Sequence, residues 1–271
     1  MATEELLAGE ARERPRVAVV AGLAALFMLL TPILGLLALR GAPDNLPAAT
    51  LYRNDHQLEL ALSTLASVLG LAAIVVVVDF LYRATRGRND ALPAQLRPLL
   101  WVGGLGLVAA TVAFQVIGAV QLHHFATQGT QTYDEAKAAS DFGALVYVGI
   151  VFQLAFALAL VMISVNAMRT GLLSRLVGYL GVISAVLFVL PVIPPIVQIY
   201  WLGALALLLS GRAASGLPPA WERAEAVPWP SAAEMREARV RAAEAGRSGD
   251  EPAAGAGPSP ATSRRKRKRR R

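Results

Sequence analysis

The chain contains no cysteine in its 271 residues. That excludes disulfides, thiolate metal centres and a cysteine nucleophile, and it leaves the redox compartment undetermined. Charge is scarce as well. Asp, Glu, Lys and Arg together make up 17% of the chain, against about 25% in soluble domains. Lysine is almost missing, with 3 residues against 23 arginines. That bias, with abundant Ala, Gly and Pro, is the composition a GC-rich bacterial genome imposes.

Catalytic motifs are missing too. The sequence has no HExxH zinc site, no G-x-S-x-G elbow and no GxxxxGK[ST] phosphate loop. The glycines of "WVGGLGLV", residues 101–108, lie inside an apolar run and not between a strand and a helix. They are therefore not a nucleotide fingerprint. The polar stretches are too small for an ATPase or kinase domain. No fixed-period repeat appears, and the two halves of the apolar region share no inverted pattern of the kind many transporters have. The reading is a non-enzyme, with no catalytic residues, no metal site and no cofactor.

What the chain does have is apolar length. Hydrophobic residues reach 55%, and mean hydropathy is +0.49. A bilayer-spanning helix needs about 20 mostly apolar residues. Such runs occur at residues 17–39, 60–82, 99–122, 143–168 and 173–193, with a shorter one at 196–211. The first is too long for the apolar core of a signal peptide, and Pro43 follows the small-residue site nearby, so it reads as a retained helix. The last is the shortest. At 1.5 Å per residue it reaches about 24 Å, less than a hydrocarbon core of about 30 Å. Pro191, Pro194 and Pro195 break the backbone between it and its predecessor. The pair forms either a full hairpin or a re-entrant one. Pro32 is expected to kink the first span.

Basic residues fix an expected orientation, because cytoplasmic loops carry the Lys/Arg excess. One set of segments holds Arg12, Arg14 and Arg16, then Arg83, Arg86, Arg88 and Arg97, then Arg169 and Arg175. The alternate loops hold only Arg40, Arg53 and Lys137. The predicted fold class is all-α, a polytopic transmembrane bundle of about six spans with both termini cytoplasmic. Residues 1–16 precede the bundle, 17–211 form it, and 212–271 form a cytoplasmic tail. The expected location is a bacterial cytoplasmic membrane.

The net charge of +7 sits entirely in that tail. Residues 212–271 carry 14 basic and 7 acidic side chains, whereas residues 1–211 carry 12 of each. Trp221 and Trp229 follow the last apolar run and are placed either at the membrane interface or exposed in a loop. Ser231 and Glu234 form a capping box, which predicts a short helix over about 232–245. Residues 248–263 are Gly, Pro, Ala and Ser rich and read as a flexible linker. The end, "RRKRKRRR", comprises Arg264, Arg265, Lys266, Arg267, Lys268, Arg269, Arg270 and Arg271. Near an anionic leaflet each such charge contributes up to about 1 kcal/mol. No aromatic side chain interleaves with them, so nothing stacks on bases, and no specific nucleic acid is expected. The partners expected are anionic lipid headgroups and a membrane-protein partner or a second copy of the chain.

Polar residues within apolar runs are the candidate functional residues. Asp79 lies in "AAIVVVVDFLYR", with Arg83 four residues on and able to pair with it. Gln115 lies within the third run, and Gln153 and Asn166 within the fourth. These four either line a solute path or hydrogen-bond between helices. Ser63, Thr64 and Ser67 are similar, and small residues spaced by four, Ser63 with Ser67, Ala66 with Gly70 and Gly181 with Ala185, predict close helix packing. On the other side, His56, Glu59, His123, His124, Asp134, Glu135 and Asp141 match no compact metal-ligand spacing.

One stretch carries a resemblance. In "NAMRTGLLSRLVGYLGVISAVLFVL", residues 166–190, a helix ends at Arg169, a turn follows through Gly171, Leu172, Leu173 and Arg175, and a helix containing Gly178 and Gly181 begins. This resembles a segment of small bacterial multi-pass membrane proteins in an uncharacterised domain-of-unknown-function family. The resemblance implies a six-span layout over residues 17–211 and no particular activity.

Overall fold

A computed structural model describes residues 2–190, 195–213 and 216–228, with 236, 237, 240 and 241 beyond them. The chain divides into two units, Met1–Trp229 and Pro230–Arg271. Among the described residues the regular structure is entirely helical. The elements are α1 (Ala2–Ala38), α2 (Leu46–Asp55), α3 (Gln57–Arg86), α4 (Leu96–Thr127), α5 (Tyr133–Ala138), α6 (Leu145–Arg169), α7 (Arg175–Val189) and α8 (Ile196–Leu209).

Four of these, α1, α3, α4 and α6, are long and apolar enough to cross a membrane. The other two apolar helices, α7 and α8, have 15 and 14 residues, lengths of only about 21–22 Å. The large side chains facing outward are themselves apolar: Leu26, Val76, Val102, Leu154, Leu176 and Leu207 are all exposed. A soluble monomer rarely exposes apolar surface on that scale, so the exterior matches a hydrocarbon solvent.

The six apolar helices close a ring. α1 packs on α3, α3 on α4, α4 on α6, α6 on α7, α7 on α8, and α8 returns to α1, while α3 also meets α6 across the ring. Small residues set the spacing. A Cβ added to Gly103 on α4 would stand 2.6 Å from the Phe156 nitrogen on α6, so the two backbones touch there. The glycine cluster of residues 101–108 is thus a packing surface. Gly70 lies against Phe27 and Met28 of α1, and Gly181 and Ala185 are buried on α7. Helix α1 runs unbroken through Pro15 and Pro32. Beside Pro32, the Ser63 hydroxyl of α3 donates to the Thr31 carbonyl at 2.9 Å.

The segment before the first apolar run is also helical, continuous with α1. The two short helices α2 and α5 occupy loops that hydropathy leaves blank. Asn45 caps α2 by accepting from the Ala48 amide at 2.8 Å, and Thr132 caps α5 through the Glu135 amide. The predicted breaks at Pro191 and Pro194 fall outside the described residues. Within the expected 232–245 helix, residues 236, 237, 240 and 241 are helical, and Arg241 pairs with Glu237 at 3.1 Å.

Candidate functional site

The alternation of the ring gathers one set of termini at one end: the start of α1, the end of α3, the start of α4, the end of α6 and the start of α7. This end holds the arginine-rich segments, and its side chains form the largest polar network among the described residues.

Asp79 is its first centre. Its side chain is 8% exposed and accepts from three directions. Arg97 Nε donates to it at 2.8 Å, Trp101 Nε1 at 3.0 Å and Arg83 Nε at 3.2 Å. The pairing with Arg83, four residues away, is present as the sequence suggests. The shorter contacts come from α4. Arg83 in turn reaches Glu13 of α1 at 2.9 Å, so the Asp79 carboxylate links three helices.

Arg88 is the second centre, and its side chain is 0% exposed. It makes a two-pronged contact with Glu10, NH1 to Oε1 and NH2 to Oε2, both at 2.8 Å. Its Nε donates to the carbonyl oxygens of Ala220 at 2.8 Å and Arg223 at 3.2 Å, and NH1 donates also to Ala84 O. The guanidinium lies over the Trp221 ring, 5.6 Å from its centroid. A buried guanidinium with all three of its nitrogens engaged meets the condition under which a buried ion pair is tolerated.

Trp221 is not exposed in a loop. It is 5% exposed, stacks on Phe80 with rings 6° apart, and donates from Nε1 to Leu172 O at 2.9 Å. The segment after α8 therefore straps back over this end. It is held again where the Val227 amide donates to Thr170 O at 3.1 Å. Gly171 makes this docking feasible: its φ is +80°, and Val227 O occupies the space a Cβ would need. Trp229 lies outside the described residues, as do Ser231, Glu234 and the basic end from Arg264 to Arg271.

The four polar residues of the spans occupy separate places. Asn166 joins the arginine-rich end, accepting from Asn89 at 3.3 Å and donating to Met162 O. Gln153 lies 13 positions earlier on α6, about 20 Å away along the helix, and donates to Phe188 O of α7. Gln115 of α4 accepts from the Thr64 hydroxyl of α3 at 2.8 Å. Asp79, Gln115 and Gln153 thus tie their helices to another helix, Asn166 ties α6 to the turn between α3 and α4, and the structure does not bring the four together.

Another group sits inside the ring where α6, α7 and α8 meet. Ser164 Oγ, Ser184 Oγ, Gln198 Oε1 and Trp201 Nε1 are buried without hydrogen-bond partners among the described residues. Ser164 Oγ and Trp201 Nε1 both crowd Gly181. A serine and a tryptophan in apolar runs carry little charge signal, so hydropathy reading passes over them.

At the opposite end, His56 stacks on Tyr52 with ring centroids 4.0 Å apart. Among the described residues no three His, Asp or Glu side chains come together in a way that could hold a metal ion. Comparison with models of known families, with characterised proteins and with solved structures finds no match for this chain.

Proposed function

We propose that the chain is a six-span integral protein of a bacterial cytoplasmic membrane, with both termini cytoplasmic, and that it acts without catalysis as a structural or regulatory membrane component. The observation that carries this reading is the use of Asp79, Gln115, Gln153 and Asn166 in contacts with neighbouring elements. A group committed to holding helices together is not free to line a path. Placing the arginine-rich end in the cytoplasm follows the distribution of basic residues. At that end Arg169, Arg175 and Tyr179 line a cavity of about 450 Å³, which suits the anionic headgroups of the inner leaflet. The basic end, residues 264–271, then holds the tethered tail to the same leaflet or to an acidic partner.

The test compares the full chain with a version truncated after Thr262, each purified in detergent and added to vesicles with and without anionic lipid. Melting temperature and lipid binding are read together. Anionic lipid is expected to stabilise the full chain more than the truncated one, and the difference should shrink at high salt. Equal responses of the two forms refute a lipid role for the tail.

A second reading is transport of a small polar solute or ion. The unpartnered group of Ser164, Ser184, Gln198 and Trp201 inside the ring favours it, because buried polar atoms without partners are what a permeant or an internal water satisfies. Under this reading a solute raises the melting temperature of both forms alike. A ligand at 100 times its dissociation constant adds about 2.7 kcal/mol, which a melting curve resolves. Ser164→Ala should then abolish that response.

A further inference from the structure

We propose that an anionic phospholipid bound by Arg169 and Arg175 locks the strap after α8 in place, so that lipid occupancy and strap docking form one linked equilibrium. This rests on the reading above that the arginine-rich end meets the inner leaflet, and it gives the cavity there a partner and a consequence.

The cavity, of about 450 Å³, lies where α6 ends and α7 begins. Its volume is within the range of ligand sites. Met168, Arg169, Arg175, Tyr179 and Pro228 line it, and none of these is Asp or Glu. Arg169 and Arg175 are both exposed, so their side chains are open to a group that enters. A guanidinium presents five N–H donors in a planar fork that matches phosphate oxygens, and it serves more than one acceptor at once. Two guanidinium groups on one cavity favour a phosphate. With no carboxylate among the lining residues, nothing there holds the ammonium of a zwitterionic headgroup. Charge therefore selects an anionic one.

The occupant is a lipid because an apolar stripe leaves the cavity along α7. Leu176, Tyr179, Ile183 and Val186 recur at three- and four-residue spacing, which is one face of the helix. They are 64%, 57%, 47% and 50% exposed. Tyr179 belongs both to that stripe and to the cavity wall. An acyl chain along the stripe brings its phosphate to Arg175, the first residue of α7.

The strap supplies the remaining wall. Pro228 follows Val227, whose amide donates to Thr170 O at 3.1 Å. Thr170 in turn follows Arg169 directly. The cavity is therefore complete only while the strap is docked. A lipid that touches Pro228 as well as the arginines gains contact in the docked state alone, and a ligand shifts an equilibrium by its difference in affinity for the two states.

Trypsin cleavage after Arg223 reads the strap, because the Arg223 carbonyl accepts from Arg88 Nε at 3.2 Å in the docked state. The full chain in neutral detergent is digested with dioctanoyl phosphatidylglycerol, dioctanoyl phosphatidylcholine or glycerol phosphate, and a soluble peptide controls for trypsin itself. Phosphatidylglycerol is expected to slow this cleavage by about tenfold relative to phosphatidylcholine, a usual size for coupling between sites. The double variant Arg169→Gln with Arg175→Gln should bring the two rates together. Only their ratio is read, so a variant that loosens the strap by itself leaves the comparison intact. Linkage is reciprocal, so Trp221→Ala, which frees the strap, should weaken phosphatidylglycerol binding by a similar factor in native mass spectrometry. Equal rates in the two lipids overturn the proposal, as does a ratio that survives in the double variant or an affinity unchanged by Trp221→Ala. Glycerol phosphate acting as strongly as the lipid overturns the lipid as occupant. The slowing is expected also in the form truncated after Thr262. Its loss there assigns the effect to the basic end and overturns this inference alone, whereas a chain that an alkaline wash strips from vesicles overturns the membrane reading beneath it.

Discussion

The two buried charge centres at the arginine-rich end differ in how much depends on them. Around Asp79, both arginines are about half exposed, so water can solvate them if the carboxylate is lost. Asp79→Asn keeps an acceptor for Arg97 and Trp101 and is expected to cost about 1–2 kcal/mol. Arg88 offers no such relief. Its side chain is fully buried, and Glu10 opposite is nearly so. Removing one member of a buried pair strands the other, at about 3–5 kcal/mol. Arg88→Met should therefore destabilise more than Asp79→Asn, and adding Glu10→Gln to Arg88→Met should recover part of the loss. Reversible unfolding of the purified variants in mixed micelles measures both. If Arg88→Met is no worse than Asp79→Asn, the pair is weaker than its burial implies. The candidate residue Asp79 is legible in the sequence because a carboxylate in an apolar run is conspicuous. Arg88 is not, since an arginine between helices reads as one more topological charge. Glu10 even has Arg14 four residues on in its own helix, the local partner that helical spacing suggests. Folding pairs it with Arg88 instead.

Among the elements, the glycines of α4 decide how closely its neighbours approach. Gly103 faces the α6 backbone, where an added Cβ meets the Phe156 nitrogen at 2.6 Å and its Cα at 3.0 Å. Neither atom can move aside without moving the helix. Gly103→Ala is expected to destabilise by about 1–3 kcal/mol, the usual cost of overpacking. Gly203 on α8 has nothing within 4 Å of its added Cβ. Gly203→Ala should be neutral or stabilise by up to about 1 kcal/mol through helix propensity. Melting temperatures in one detergent compare the two, and similar shifts would show that α4 and α6 are less tightly joined than their backbones indicate. Hydropathy finds all six apolar helices, and their boundaries move by a few residues except at the start of α1, which begins at Ala2 and not at residue 17 because its first turns are polar. It does not find α2 or α5, because neither is apolar enough to stand out. Their signals are the caps at Asn45 and Thr132, which are weaker than a run of leucines.

For the unit Met1–Trp229 as a whole, the strap after α8 decides whether the arginine-rich end is closed. Trp221 holds it through Phe80, Leu172 and Arg88. Truncating a buried tryptophan costs about 3–5 kcal/mol when the loss is global. Here the strap is expected to release first, because it is a short segment at the rim of the ring. Trp221→Ala should make residues 212–228 sensitive to protease in folded protein while α1 to α6 stay protected. Cleavage that begins instead within the helices would mean that the strap is needed for the bundle itself.

Taken alone, the sequence determined the class of the protein: all-helical, apolar on a scale suited to a bilayer, without cysteine chemistry or a catalytic motif, and with its charge excess confined to one end of the chain. Those properties are sums over residues, so they survive without knowledge of contacts. Tertiary structure alone decided which helices are neighbours, that α1 and α8 close a ring, that Asp79 is held from α4 as well as from its own helix, and that Trp221 is buried. Each depends on the direction a side chain takes from a helix and on what stands within about 3 Å of it, and hydrophobic periodicity fixes neither.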